Sequence, residues 1–184
     1  YSGREVDIFN LNIKDIDIED IAHSLSNLCR YGGHCLFHYS VAQHSYLCSL
    51  EPGTPNQQLK YLMHDGSEGY MNDLVRPIKH RPELILYREE EEKIQKLIFE
   101  KFELEYPFSQ DIHDVDNRIL LREIEQIIIM KDEIYNKSVK NGVSLREAIK
   151  ILRDEKLAKC TIPKISPEEA KELFLNRFYE LYKK

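Results

Sequence analysis

The sequence predicts a single all-α domain, a bundle of about six or seven helices preceded by a short extended arm or hairpin. Three observations carry that expectation. Apolar residues recur at helical spacing in several separated stretches. Ser, Thr or Asp stands where a cap would stand in front of most of them. Pro- and Gly-containing turns punctuate the intervals, with no internal repeat, low-complexity tract or linker.

The elements follow in order. Residues 5–13, EVDIFNLNI, alternate and are permissive for strand, which predicts the arm or hairpin. Asp17, with Asp20 three residues on, opens a helix whose apolar positions are Ile18, Ile21, Ala22, Leu25 and Leu28, and Gly32–Gly33 ends it. SVAQHSYLCSLE, residues 40–51, reads as a second helix capped by Ser40. EPGTPNQQ is a turn, and Thr54 caps a third helix that runs through about residues 64–70. Pro77 interrupts the next segment. Residues 83–103 form a long charged helix whose glutamate run at 89–92 reads as a solvated face. Pro107 and Ser109 punctuate before a helix over roughly residues 111–133. Ser144 and Ser166 each precede a Glu by three residues, predicting capping boxes for the two final helices. The chain therefore reads as one domain over residues 1–184, with a motif-bearing core at about 15–130 and a helical C-terminal extension at 131–184.

Composition narrows the function. The 184 residues are enough for one sizeable core. At 42% hydrophobic and 32% charged the chain is ordinary for a soluble globular protein. A net charge of −6 argues against a nucleic-acid polymer or an anionic membrane as partner. No apolar run approaches the roughly 20 residues of a membrane span. The chain opens on Tyr1 rather than Met, which leaves room for a short leader upstream, and YSGREVDIF does not resemble a signal peptide. Cys29, Cys35, Cys48 and Cys160 form no CxxC pair and read as reduced thiols of a cytoplasmic protein.

The stretch YLMHDGSEGYMNDL, residues 61–74, carries the chemistry. An apolar run delivers His64 and Asp65 together. As helix neighbours their side chains diverge by about 100°, so both reach one ion only near the helix edge, with further ligands from other helices. His44 and Asp116 are the candidates. Two imidazoles and two carboxylates suit one divalent transition ion such as Mn, Fe, Co, Ni or Zn and leave positions for water and substrate. Taken singly, His44 reads as a satisfied core histidine and Asp116 as a carboxylate near a helix N-terminus; their combination is the signal. Three cysteines fall near these residues, but their spacings do not fit a structural zinc site.

The order H…HD…D on successive helices resembles the HD-domain metal-dependent phosphohydrolases. The segments DIEDIAHSLSNLCRYGGHCLFHYSVAQHS, LMHDGSEGYMNDLVRPIK and DVDNRILLREIE resemble its small deoxynucleotidases, the bacterial deoxynucleoside 5′-monophosphatases and phage dATP triphosphohydrolases. The resemblance spans about residues 4–130. It implies His44, His64, Asp65 and Asp116 as metal ligands, Glu68 and Asp73 as the acidic catalytic pair, and a second divalent ion near Glu68 as a further option. It implies Arg30 and Lys79 as phosphate contacts and Tyr31 beside sugar or base. Gly33 and His34 are drawn in as neighbours of that loop, Gly33 at the sugar and His34 at base or phosphate. Arg76 and His80 border the Lys79 segment; His23, His38 and His113 read as structural. Where the family has Gly, this chain has Asn72, and where it has Pro, Val75; both affect the turn that aims Asp73.

These features together predict a hydrolase of small-molecule deoxynucleotides in the cytoplasm of a bacterium or phage-infected host. The leading reaction is release of deoxynucleoside and triphosphate from a dNTP, with dATP the first candidate. Alternatives are a deoxynucleoside 5′-monophosphatase, a signalling-nucleotide hydrolase, and a nucleotide-binding helical module without turnover. The resemblance also implies a homo-oligomer, dimer or hexamer, with the helix at 83–103 and the Tyr-rich segment FLNRFYELYKK as candidate interfaces.

Overall fold

Short-range capping chemistry sets the helices in the computed structural model, which describes residues 1–182; Lys183 and Lys184, the end of the expected final helix, lie outside the described residues. Asp17 accepts from the Glu19 N–H at 2.9 Å and starts α1 (Ile18–Asn27). Ser40 accepts from the Gln43 N–H at 3.1 Å and starts α2 (Val41–Ser49). Thr54 and Gln57 form a complete capping box at α3 (Pro55–Met63). Two single-turn helices follow, α4 (Glu68–Met71) and α5 (Arg76–Lys79). Then come α6 (Ile85–Lys101), α7 (Gln110–Ile127), α8 (Lys131–Asn141), α9 (Leu145–Lys159) and α10 (Pro167–Leu181). Ser166 and Glu169 complete the box expected at α10, whereas at Ser144 only the serine half is made, to the Glu147 N–H.

The architecture is all-α among the described residues, but it differs from expectation in four places. Residues 5–13 form no hairpin. Two 3-10 turns, Ile8–Asn10 and Ile13–Asp15, stand there instead, because Asp7, Asn12 and Asp15 satisfy nearby backbone N–H groups themselves. α1 stops at Asn27 rather than at the glycine pair; Cys29 then bridges to Ser40, and residues Arg30–Gly33 make a separate 3-10 turn. α3 ends at Met63, not near residue 70, so His64 and Asp65 occupy a turn and not a helix face. The helix expected over 111–133 is two helices, which raises the count to eight helices of nine or more residues among those described. Ile128 is extended (φ −112°, ψ 137°), the run Ile127, Ile128 and Ile129 has poor helix propensity, and the Leu36 N–H takes the Ile127 carbonyl at 3.0 Å.

The main core joins α1, α2, α3, α6 and α10 through Ile21, Leu25, Val41, Leu62, Met63, Ile98, Phe99, Phe174 and Phe178. α10 packs directly on α1, α2 and α3, so part of the C-terminal region belongs to this core. Each of the buried Phe and Leu side chains contributes on the order of 1.5–3 kcal/mol. A second cluster of Cys48, Tyr61, Ile112, Val115 and Ile119 fastens α7 to α2 and α3. It fixes three helices around one point, where the site lies. Among the described residues no helix is long and apolar enough to cross a membrane.

Candidate metal centre

The turn after α3 presents His64 and Asp65. Gly66 keeps the turn close to its neighbours: a Cβ would meet the Met63 carbonyl oxygen at 3.1 Å and the Ile98 side chain at 3.3 Å, tighter than ordinary contact. His64 Nδ1 donates to the Tyr61 carbonyl at 2.7 Å, which leaves its Nε2 pointing inward. α2 supplies His44, fully buried, and α7 supplies Asp116. The four side chains converge. His44 Nε2 lies 3.4 Å from His64 Nε2, 3.3 Å from Asp116 Oδ1 and 3.7 Å from Asp65 Oδ2. His64 Nε2 lies 3.3 Å from Asp65 Oδ1 and 3.9 Å from Asp116 Oδ1.

Beneath them is a carboxylate that sequence reasoning missed. Glu123 is fully buried on α7, two turns beyond Asp116. It accepts from His44 Nδ1 at 2.6 Å, from the Tyr39 hydroxyl at 2.7 Å, from Arg30 Nη2 at 3.3 Å and from the Tyr31 hydroxyl. Burial alone would raise its pKa, but His44 and Arg30 outweigh burial and hold it down at about 2. Glu123 is therefore an acceptor only, and His44 Nδ1 must carry the proton.

Cys48, one helical turn from His44, closes the floor, with Sγ 3.5 Å from His44 Nε2. His44, Cys48 and His64 form a buried group of donors that could hold a metal ion. Burial pushes the Cys48 thiol up, against an opposing pull from His44. Burial and Arg30 likewise push His44 down, but Cys48, Glu123 and Asp116 reverse this and hold its pKa well above the usual histidine value.

A cavity of about 370 Å³ opens above the four residues. Arg30, Tyr31, Asp65, Glu68, Asp73, Lys79 and Asp116 line it, with Arg76 and His80 also on its wall. Arg30 and Tyr31 arrive on the 3-10 turn, where Tyr31 takes a left-handed conformation (φ 59°) that aims its hydroxyl at Glu123. Arg30 also reaches Asp65, with Nη1 3.5 Å from Oδ2, and its Nε is buried without a partner. Gly33 and His34 stand apart; both are exposed and neither lines the cavity, because the turn carries them outward.

Burial, with Asp65 and Asp73 nearby, raises Glu68 well above the ordinary carboxyl range despite Lys79 and Arg30. Asp73 is raised too, chiefly by burial, against the pull of Arg30. Its approach depends on Asn72, whose φ of 71° and ψ of 154° are those of a glycine, the residue the resemblance calls for there. Glu91 corrects the solvated-face reading of the run at 89–92: it is buried, and its Oε2 lies 2.7 Å from Lys79 Nζ, which also sits 3.6 Å from Glu68 Oε1.

No protein-family model matches the chain. It is similar to an uncharacterized protein of Rhodobacter capsulatus, 37% identical over 86 residues that cover 42% of this chain and 44% of that protein. It is also similar to the uncharacterized protein YfdR of Escherichia coli, 34% identical over 184 residues, covering 98% of this chain and 93% of that one. With near-complete coverage of both sequences at that identity, the chain belongs to the YfdR family.

Proposed function

We propose that the chain is a divalent-metal-dependent phosphohydrolase of the HD-domain class that acts on deoxynucleotides, releasing deoxynucleoside and triphosphate from a dNTP. One observation carries the reading. Both histidines donate through Nδ1 to groups that only accept, so their two Nε2 lone pairs face each other across 3.4 Å, flanked by two carboxylates. Such a group calls for positive charge among its members, which a proton on His44 supplies in the metal-free chain and a divalent ion would supply in its place. The spacings of 3.3–3.9 Å fit donors sharing one ion at about 2.1 Å. The raised pKa of His44 expresses the same demand for positive charge.

His44, His64, Asp65 and Asp116 would hold that ion. The partners of the two Nδ1 atoms, Glu123 and the Tyr61 carbonyl, are the kind that orient metal-ligating histidines. Cys48 belongs to the same donor group, but it lies on the dry floor, while Asp65 and Asp116 open to the cavity. A divalent ion of the Mn, Fe, Co, Ni or Zn group supplies acidification of a bound water and charge neutralisation at phosphate.

The chain's own residues do the rest. Arg30 lines the cavity and offers its guanidinium charge to phosphate, and Lys79 adds a point charge held in place by Glu91 and Glu68. Asp73, whose pKa burial raises, is the candidate general acid for the leaving 5′-oxygen. Glu68 stands between the HD pair and Lys79, placed to orient a water. Tyr31 forms the wall against the sugar. Arg76 adds a second fixed positive charge to the lining beside Lys79, which favours a triphosphate over a monophosphate.

The test is a panel of deoxy- and ribonucleotides incubated with the protein and Mn or Co, with products resolved chromatographically. Release of triphosphate from a dNTP is expected. Orthophosphate from a dNMP would instead assign the monophosphatase, and absence of turnover with every metal and nucleotide would overturn the reading. Asp65→Ala is the control that loses metal and activity together.

A further inference from the structure

Cys29 and Cys35 stand at the two feet of the turn that carries Arg30 and Tyr31. Their sulfurs are 3.7 Å apart, neither is in a disulfide, and both are half-buried, with Cys35 Sγ also donating to the Phe37 carbonyl at 3.0 Å. A disulfide needs about 2.0 Å between sulfurs, so the two must close by less than 2 Å. The feet are anchored to the scaffold. Cys29 bridges to Ser40, the Arg30 N–H donates to the Tyr39 carbonyl at 2.9 Å, and the Leu36 N–H donates to Ile127 at 3.0 Å. Between the feet, Tyr31, Gly32 and Gly33 run in succession through positive φ (59°, 59° and 82°), and residues 32–34 are exposed. There, the side-chain contacts of Arg30 and Tyr31 hold the turn inward. The other two cysteines are engaged elsewhere: Cys48 lies under His44, and Cys160 meets the Ile162 carbonyl at 3.3 Å.

We propose that Cys29 and Cys35 are a reversible dithiol–disulfide pair that staples the Arg30–Tyr31 turn, with hydrogen peroxide as the oxidant. The Cys29 thiolate attacks the peroxide and breaks the O–O bond, giving a Cys29 sulfenic acid and releasing hydroxide, which takes up a proton. The Cys35 sulfur then displaces the sulfenic oxygen as a second water and forms the S–S bond. Two thiol protons and two electrons leave with the two waters, and an external thiol reverses the reaction. Burial and the adjacent Cys29 push the Cys35 thiol up to about 11, which suits it to resolve the intermediate and not to attack first. This inference does not depend on the phosphohydrolase reading.

The test uses the full chain, treated with stoichiometric hydrogen peroxide, alkylated under denaturing conditions and mapped by mass spectrometry. The expected result is a loss of about 2 Da, a cross-link between Cys29 and Cys35, alkylation at Cys48 and Cys160, and full reversal by dithiothreitol. Hydrogen exchange at residues 30–34 should slow by about tenfold in the oxidised protein. Cys35→Ser should stop at a Cys29 sulfenic acid that dimedone traps; if that variant does not fold, the wild-type map decides. Alkylation of both Cys29 and Cys35 after oxidation, pairing of either with Cys48 or Cys160, or unchanged exchange in the cross-linked protein would overturn the proposal.

Discussion

Glu123→Gln probes the site from underneath. The carboxylate is fully buried, its pKa sits at about 2 against an ordinary 4.5, and Arg30 and His44 are its charged neighbours. The amide keeps the shape and one acceptor oxygen but removes the charge. A depression of about 2.5 pKa units corresponds to roughly 3 kcal/mol, in line with the 3–5 kcal/mol typical of breaking a buried ion pair. For a chain of this length that is a fall in Tm of roughly 6–12 °C. A second effect follows from His44. Gln offers Nδ1 only a neutral oxygen, and its NH2 competes for that position, so the bond that fixes the tautomer weakens and divalent-metal affinity should fall about 10–100-fold. The assays are thermal or urea unfolding of the metal-free protein and titration with Mn followed by electron paramagnetic resonance. A variant that unfolds at the wild-type midpoint and binds Mn with wild-type affinity would refute the assignment of Glu123 as the group that orients His44.

Three further outcomes follow. Arg30→Ala should leave Mn bound with near-normal affinity while weakening inorganic phosphate or nucleotide binding by tenfold or more, about 1.4 kcal/mol; unaltered phosphate binding in equilibrium dialysis would remove Arg30 from the anion site. The pH dependence of metal-free stability carries the sign of Glu123. Because its folded pKa is depressed, its contribution is complete above about 4.5 and is lost as pH falls toward about 2. Urea midpoints between pH 6 and pH 3 should therefore drop more in wild type than in Glu123→Gln, and parallel curves would contradict the linkage. Asn72→Gly should relieve a backbone conformation that favours glycine and raise stability by about 1 kcal/mol net of the extra unfolded-state entropy; a Tm at or below wild type would show that Asn72 is not strained.

What the sequence made legible was chemistry acting over three or four residues. Asp17, Ser40, Thr54 and Ser166 cap helices where they were expected because each bond is local. The breaks were harder. The end of α3 at Met63 and the gap between α7 and α8 depend on tertiary partners such as the Leu36 N–H, which no local pattern announces. At the site, the HD pair was conspicuous in the sequence, and His44 and Asp116 converge on it. Glu123 was hidden because a glutamate on an amphipathic helix reads as solvent-facing, yet it lies seven residues after Asp116, on the same face. Cys48 follows His44 by four and was within reach by the same argument. Glu91 was masked by its neighbours, although residues 87, 91, 94 and 98 trace a helical stripe whose last two members are buried isoleucines. Gly33 and His34 lie outside the cavity lining, because proximity to Arg30 in the chain does not survive a turn of left-handed residues.

The most direct test of the central claim is anomalous scattering from a crystal of the chain grown with Mn. The account predicts one strong peak within bonding distance of His44 Nε2, His64 Nε2, Asp65 and Asp116 together. A peak that excludes either carboxylate in favour of Cys48, or no peak among these four side chains at saturating Mn, would contradict it.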